Sequence, residues 1–295
     1  MNRNKLINWG IFIVLSFIWG SSFILMKVSK DGLSAVQIAA VRIFSAGIIF
    51  VPFAVFHLSK IPRNKLFIII LSGVFGNLLP AFLFAEAISK NMDSALAGIL
   101  NSLTPLCVVV IGISFFKLKV NSRQVLGIVI GFLGLSLLSL SKGGIKFDNL
   151  GYAGLILIAT IFYGLNVNLV SRYLNNENPF YIATVSLAFM TIPTAIILYK
   201  SNILSIPIAE PVVLHAFITS VILGVMGSAI ATALFYVLVK RAGGIFASLV
   251  TYGIPFIALF WGFVYAEKIS LIQIACLAII LVGVYLANRK IKEQG

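Results

Sequence analysis

The chain has 295 residues, of which 60% are hydrophobic and only 10% charged, and its mean hydropathy is +1.09. These values lie well outside the usual range of soluble globular domains. The formal net charge of +14 would suggest nucleic-acid binding in a soluble protein, but in so apolar a chain the distribution of the charges along the sequence matters more than their sum.

Ten apolar stretches separated by short charged loops dominate the sequence. A helix needs about 20 apolar residues to cross the hydrocarbon layer, so the pattern predicts an all-α membrane protein with ten transmembrane helices and no separate soluble domain. The first stretch lacks a small-x-small cleavage signal, and we interpret it as a retained helix. The stretches are residues 6–26, 32–59, 66–85, 94–116, 124–141, 149–171, 178–199, 211–239, 242–266 and 269–288.

The loop charges predict the orientation of these helices. If the N-terminus is cytoplasmic, cytoplasmic segments carry 14 Lys and Arg residues and the opposite face carries 7. An excess of positive charge in short cytoplasmic loops is the usual pattern of membrane proteins. We therefore expect both termini in the cytoplasm, and nucleic-acid binding is not implied.

The sequence also contains an internal duplication. Residues 17–20 match residues 161–164, and residues 97–105 match residues 247–255 at a separation of 150. The predicted repeats are residues 1–144 and 145–295, integrated in one membrane domain. Five helices per repeat is an odd number, so the second repeat must enter the membrane from the opposite side. Such inverted repeats are the architecture of carriers that work by alternating access.

Two ionisable residues stand out within or at the end of the apolar stretches. A charge at the membrane centre costs at least about 2.5 to 3.5 kcal/mol, so Arg42 either extends its side chain to the surface or faces the bundle interior and binds an anionic group. Glu86, near the outer end of the third stretch, is a candidate partner for Arg42. If the two do not pair, a desolvated Glu86 carboxyl would suit proton coupling, and a solvated interfacial glutamate is the third interpretation.

Uncharged polar and aromatic residues recur at mid-span in both halves. Such groups often link helices by hydrogen bonds, but their symmetric positions also fit a substrate cavity, where aromatic faces contact apolar or cationic parts of a solute. The candidate substrate-binding residues are Trp19, Ser22, Asn77, Asn101, Tyr163, Asn166, Thr251 and Tyr252.

Prolines and glycines indicate where helices bend or pack closely. Pro105 and Pro255 occupy equivalent positions in the fourth and ninth stretches. Because proline removes a backbone hydrogen bond and bends a helix, both are candidate hinges. Gly127 and Gly131 form a GxxxG spacing that is typical of close helix packing.

Motifs for ATP hydrolysis or metal-dependent catalysis do not occur in the sequence. There is no Walker A loop, no HExxH and no pair of carboxylates within one apolar stretch, so neither an enzyme nor an ATP-driven pump is expected. Cys107 and Cys276 lie in separate apolar stretches, where packing roles are expected rather than a disulfide or a metal site. We expect no cofactor.

Several short motifs follow one another along both halves: Trp-Gly-Ser-Ser-Phe at residues 19–23, Arg42, Thr104-Pro105, Ala-Glu-Lys at residues 266–268, Gln273 and Gly283. Together they resemble the bacterial drug/metabolite transporter superfamily with its EamA-type repeat, over roughly residues 8–288. The first half departs from the pattern, because Phe-Lys-Leu-Lys at residues 116–119 replaces the usual Glu-Lys or Glu-Arg pair. Glu267 in the second half is therefore interpreted as a helix-end or loop contact.

This resemblance implies a ten-helix exporter of small metabolites in the bacterial inner membrane, with a central cavity lined mainly by the first, third, fourth, sixth, eighth and ninth spans. The substrates we expect first are amino acids or related compounds. Multidrug efflux is the alternative within transport, and a membrane scaffold or signalling protein is the alternative from another class. The expected partners are a small-molecule substrate, membrane lipid and, as one energy source, a proton gradient, and the sequence does not set an oligomeric state.

Overall fold

A computed structural model describes residues 3–90, 94–141, 150–264 and 270–288, in which helices are joined by short loops and no β-strand occurs. The α-helices are α1 (Arg3–Ser29), α2 (Ala35–Leu58), α3 (Arg63–Gly73), α4 (Leu79–Ser89), α5 (Ser94–Asn101), α6 (Thr104–Phe116), α7 (Ser122–Ser141), α8 (Leu150–Tyr173), α9 (Pro179–Lys200), α10 (Pro211–Gly224), α11 (Ala231–Ala242), α12 (Gly244–Ser248), α13 (Ile254–Val264) and α14 (Leu271–Ala287). The all-α class predicted from the sequence is confirmed for this part of the chain.

Seven helical segments are long and apolar enough to cross a membrane, with mean hydropathies between 1.9 and 2.2. Three shorter apolar helices, Ser122–Leu138, Gly244–Ile257 and Leu271–Ala287, occupy other predicted spans. The protein is therefore a multi-pass membrane protein, whereas ten spans in two inverted repeats remain a prediction. The seven segments are Arg3–Ser29, Ala35–Leu58, Arg63–Ser89, Ala97–Phe116, Gly151–Tyr173, Pro179–Lys200 and Pro211–Ala242.

Side chains cap the N-termini of several helices. Ser34 accepts a hydrogen bond from the backbone N–H of Gln37, while the Gln37 side chain accepts one from the backbone of Ser34. Ser270 and Gln273 form the same reciprocal pair at the start of α14. This capping box satisfies backbone N–H groups that have no partner within the helix, and it sets where α2 and α14 begin.

Two helices contain π-helical segments at equivalent positions. Val74–Leu78 joins α3 to α4, and Val225–Ile230 joins α10 to α11, 151 residues further along the chain. Each follows a glycine that lies against another helix: a Cβ at Gly73 would be 2.6 Å from the carbonyl oxygen of Ser186, and one at Gly224 would collide with that of Arg42. The glycines thus bring both irregular segments close to neighbouring helices.

The fourth and ninth predicted spans are interrupted rather than merely bent. A turn at Ser102 and Leu103 separates α5 from α6, and a 3₁₀ segment, Leu249–Tyr252, separates α12 from α13. Pro105 and Pro255 lie in the first turn of α6 and α13, where the missing N–H would have no partner within the helix in any case. Their role as hinges stays a prediction.

The most extensive helix pairs are α2 with α9 and α7 with α14. At the second pair the backbones approach closely, because a Cβ at Gly283 on α14 would lie 2.6 Å from the carbonyl oxygen of Gly127 and against the backbone of Gly131. Small residues at such positions let membrane helices gain van der Waals contact along their backbones. The GxxxG spacing of α7 therefore packs against α14.

We expect Gly283→Ala to lower the melting temperature in detergent, since backbone atoms cannot yield to the added methyl group and overpacking costs about 1 to 3 kcal/mol. Gly154→Ala on α8 is the matched control, because nothing lies within 4 Å of a Cβ there. Equal melting temperatures for the two variants in a fluorescence-detected thermal melt would contradict this account of the α7–α14 interface.

Candidate functional site

A central cavity of about 110 Å³ lies among the helices. Its walls come from α1, from the π-helical segments and the helices that follow them, from the broken spans α5–α6 and α12–α13, and from α8. These are the six spans in which the family resemblance placed a cavity, together with one residue of α2. One water molecule needs a cavity volume of roughly 10 to 15 Å³, so a cavity of this size suits a solute of several non-hydrogen atoms.

The structure brings most of the predicted binding residues to this cavity. Seven of the eight line it: Trp19, Ser22, Asn77, Asn101, Tyr163, Asn166 and Thr251. Arg42, for which the sequence left open an anion-binding role, lines it as well. Residues far apart in the sequence thus meet in one place, although their part in substrate binding remains a proposal.

Tyr252 is the predicted binding residue that does not line the cavity. Its side chain is fully buried, its hydroxyl donates a hydrogen bond to the carbonyl oxygen of Ile128 at 2.8 Å, and its ring lies against Gly131. The 3₁₀ segment directs Thr251 to the cavity and Tyr252 to α7. We therefore assign Tyr252 to the packing between the ninth span and α7.

Arg42 points its guanidinium into the protein. The Nε–H donates a hydrogen bond to Ser228 Oγ at 2.9 Å, and no carboxylate of the described residues lies within 4 Å of the guanidinium nitrogens. A guanidinium carries five N–H donors, so this hydrogen bond leaves donors for a solute. Because Gly224 lies against the backbone of Arg42, α10 approaches α2 closely enough for Ser228, one turn further, to reach the side chain.

Glu86 does not pair with Arg42. Its carboxylate lies 3.9 Å from the Nζ atom of Lys90, one turn along the same stretch of helix, and the Glu86 side chain is 42% exposed. An exposed i,i+4 pair contributes little to stability. The Arg42–Glu86 pair considered from the sequence is therefore wrong for this structure, and a role of Glu86 in proton coupling stays a prediction. Glu267 lies outside the described residues.

Hydrogen bonds connect the polar residues of the two halves. Thr232 Oγ1 donates to Asn77 Oδ1 at 2.9 Å, and the Trp19 indole N–H donates to the carbonyl oxygen of Gly227 at 3.0 Å. The Nδ2 group of Asn77 and the Oδ1 atom of Asn101 are buried and have no hydrogen-bond partner among the described residues. An unsatisfied buried polar group costs about 1 to 3 kcal/mol, so both are candidates for contacts that form when a solute binds.

Aromatic rings form much of the remaining wall. Trp19 and Phe235 have ring centroids 5.4 Å apart, and Tyr163 and Phe84 have centroids 6.3 Å apart. All four line the cavity. Such surfaces suit the apolar part of a solute, while the amides and Arg42 suit its polar end.

Sequence reasoning missed several residues of the wall. Helical spacing offered a signal for some of them, since Thr232, Phe235 and Tyr236 follow Ser228 at intervals that keep them on one face of α11. The apolar wall residues carry no such signal, because an apolar residue in an apolar span is expected to pack against lipid or another helix. The missed residues include Phe23, Met26, Phe84, Thr104, Thr232, Phe235, Tyr236 and Ser248.

The described residues contain no group of three or more His, Cys, Asp and Glu side chains placed to bind a metal. Cys107 and Cys276 are both free. The polar groups of the cavity are thus amides, hydroxyls, an indole and one guanidinium, which can bind and orient a solute.

The chain is similar to known transporters along nearly its whole length. The model of the EamA-like transporter family matches residues 8–140 and again residues 150–289. An uncharacterized transporter of Archaeoglobus fulgidus is 23% identical over 96% of this chain and 99% of its own length. The uncharacterized inner membrane transporter YedA of Escherichia coli K12 is 25% identical over 97% and 92% of the two chains. A solved crystal structure with 19% identity covers 94% of each chain with a TM-score of 0.69, which supports the fold.

We expect the changes Arg42→Gln and Glu86→Gln to be additive in thermal stability, because the two side chains have separate partners in Ser228 and Lys90. The coupling free energy from a double-mutant cycle in detergent should lie within about 0.5 kcal/mol of zero. A double variant that recovers the stability lost by the single variants would instead indicate that the two charges pair.

Proposed function

The chain belongs to the EamA-like transporter family, and from this premise we propose that it is a secondary carrier that exports small carboxylate-bearing metabolites. Amino acids and related compounds are the substrates that the cavity suits best. Matches to named transporters over nearly the whole chain support transport rather than a scaffold or signalling role.

Arg42 is the observation that carries the choice of substrate class. A guanidinium without a carboxylate partner in the described protein faces a cavity whose other polar groups are neutral. Arginine binds carboxylates through charge-assisted, often bidentate hydrogen bonds. We infer that a substrate carboxylate occupies this position, with the substrate's apolar side chain against the aromatic walls.

Cavity size favours small metabolites over multidrug efflux. Pockets that hold drug-sized ligands usually measure about 300 to 1,000 Å³, whereas this cavity measures about 110 Å³. The fixed positive charge of Arg42 also disfavours the cationic compounds that aromatic walls alone would attract. Multidrug efflux therefore remains the second candidate.

Alternating access is the mechanism we propose for transport. The family model matches the chain twice, and the π-helical segments recur at the same place in both matches. Inverted repeats around a site at mid-membrane permit two conformations of similar energy that open to opposite sides. Without an ATP-binding motif in the sequence, transport is proposed to run down the substrate gradient or on an ion gradient.

We propose that both termini are cytoplasmic, on the basis of the 14 to 7 division of loop charges. A reporter that is active only in the cytoplasm, fused after Gln294, should therefore be active, since the positive-inside rule sets the orientation of short loops. A periplasmic reporter fused at the same position serves as the control. Activity of the periplasmic fusion alone would reverse the proposed orientation.

Substrate recognition can be tested in proteoliposomes loaded with an apolar amino acid, its amide or its decarboxylated amine. We expect the wild type to transport the acid in preference to both analogues. Arg42→Gln should reduce this preference by about tenfold to a hundredfold, because a hydrogen bond to a charged group contributes about 1.5 to 3 kcal/mol. Arg42→Lys should retain part of it.

Lys27→Gln is the control for charge, because Lys27 is an exposed cation near the end of α1. The preference for the acid should be unchanged in this variant. If the wild type instead transports the amine as well as the acid, or if Arg42→Gln leaves the preference intact, the carboxylate assignment is wrong and multidrug efflux becomes the better hypothesis.

A further inference from the structure

A second, much smaller cavity of about 10 Å³ lies between the central cavity and one end of the bundle. Its walls include Val170 and Leu174 of α8 and Lys240 of α11. We call this end, at which Lys65, Lys240 and Arg241 lie, the basic end. Tyr236 lines both cavities and therefore lies where they adjoin.

Helix α11 presents one continuous face along both cavities. Thr232 and Tyr236 line the central cavity, and Tyr236 and Lys240 line the small one. Their spacing of four residues keeps all three on one side of the helix. The face thus runs from the centre of the protein to the basic end.

Helix α8 presents a matching face. Asn166 lines the central cavity, while Val170 and Leu174 line the small one, again at intervals of four residues. Faces of α8 and α11 therefore line both cavities, and Tyr236 lies where the two cavities adjoin.

Tyr236 is held firmly in this position. Its side chain is almost fully buried, at 1% exposure, and its hydroxyl lies 3.4 Å from Asn166 Oδ1, to which it donates a hydrogen bond. Ser72 of α3 and Ser186 of α9 lie beside the same hydroxyl. The hydroxyl therefore lies among polar groups of three other helices, α3, α8 and α9.

Lys240 lies at the far side of the small cavity, and Lys65 contacts a neighbouring residue of the same end. Lys240 Nζ donates a hydrogen bond to the carbonyl oxygen of Glu177 at 2.8 Å, and both residues line this cavity. Lys65 Nζ donates to the carbonyl oxygen of Tyr173 at 3.0 Å, near the same loop. These contacts are exposed, so they can exchange for water more readily than the buried Tyr236 can move.

We propose that Tyr236 is the gate between the central cavity and the basic end, and that the solute path to that end runs between α8 and α11. The ring closes the path in the present conformation, and the Lys240–Glu177 contact covers its mouth. This inference goes beyond the proposed function, because it does not depend on which solute binds near Arg42.

Cysteine labelling tests the gate in the full chain without a transported substrate. In a Cys107→Ala, Cys276→Ala background, Ser22→Cys places a thiol in the central cavity. A separate Arg63→Cys variant in the same background shows which side of the vesicle membrane the basic end faces. Arg63 is the exposed first residue of α3. A membrane-impermeant anionic methanethiosulfonate is added to either side of sealed vesicles, and the labelling rate is measured from each side.

Tyr236→Ala should accelerate labelling from the basic end by about tenfold or more, which corresponds to about 1.4 kcal/mol of lost barrier. Labelling from the opposite side should stay unchanged. Leu238→Ala is the matched control, because Leu238 is a buried residue of α11 that lines neither cavity, and its labelling rate from the basic end should equal that of the Ser22→Cys parent.

Three results would overturn the proposal: equal acceleration of labelling in Leu238→Ala, no acceleration in Tyr236→Ala, or faster labelling from the basic end together with slower labelling from the opposite side. The last result would indicate a shift between two conformations rather than removal of a gate. If Tyr236→Ala elutes as an aggregate in size-exclusion chromatography, Tyr236→Leu replaces it with the same expected direction and the same three contrary results.

Discussion

The fold depends first on one constraint, which is that backbone N–H and C=O groups must find hydrogen-bond partners inside the hydrocarbon layer. Irregular backbone is tolerated there when it lies within the protein or beside a polar cavity. In this protein both π-helical segments and both interrupted spans contribute to the cavity wall, through residues such as Asn77, Gly227, Asn101 and Thr251. The cavity thus lies beside the segments in which the regular α-helix is interrupted, and α-helices form the rest of its wall.

Close approach of helices then fixes the chemistry of the cavity. Gly224 lies against the backbone of Arg42, and this contact brings Ser228 within hydrogen-bonding distance of the guanidinium. A larger residue at Gly224 would separate α10 from α2 and remove that partner. The position of one charged side chain therefore depends on a residue that has no side chain of its own.

Much of this arrangement could be predicted from the sequence. The length of the apolar stretches predicts the helices, and the recurrence of polar residues in the two halves indicates Trp19, Asn77 and Asn101. Tyr252 lies outside the cavity because adjacent residues in a 3₁₀ segment point about 120° apart, so that Thr251 faces the cavity while Tyr252 faces α7. The pairing of Arg42 with Glu86 failed because similar depth in the membrane does not fix rotation about the helix axis, and Lys90 lies nearer to Glu86.

The position of Trp19 makes the intrinsic fluorescence of the protein sensitive to the contents of the cavity. Of the two tryptophans whose side chains the structure describes, Trp9 packs against Phe12 and Phe246, whereas Trp19 borders the cavity with its indole N–H bonded to the backbone of the π-helical segment. Indole emission depends on the polarity around the ring. A solute that displaces water beside Trp19 would therefore change the intrinsic fluorescence of the protein, so that occupancy of the cavity becomes visible without an attached dye.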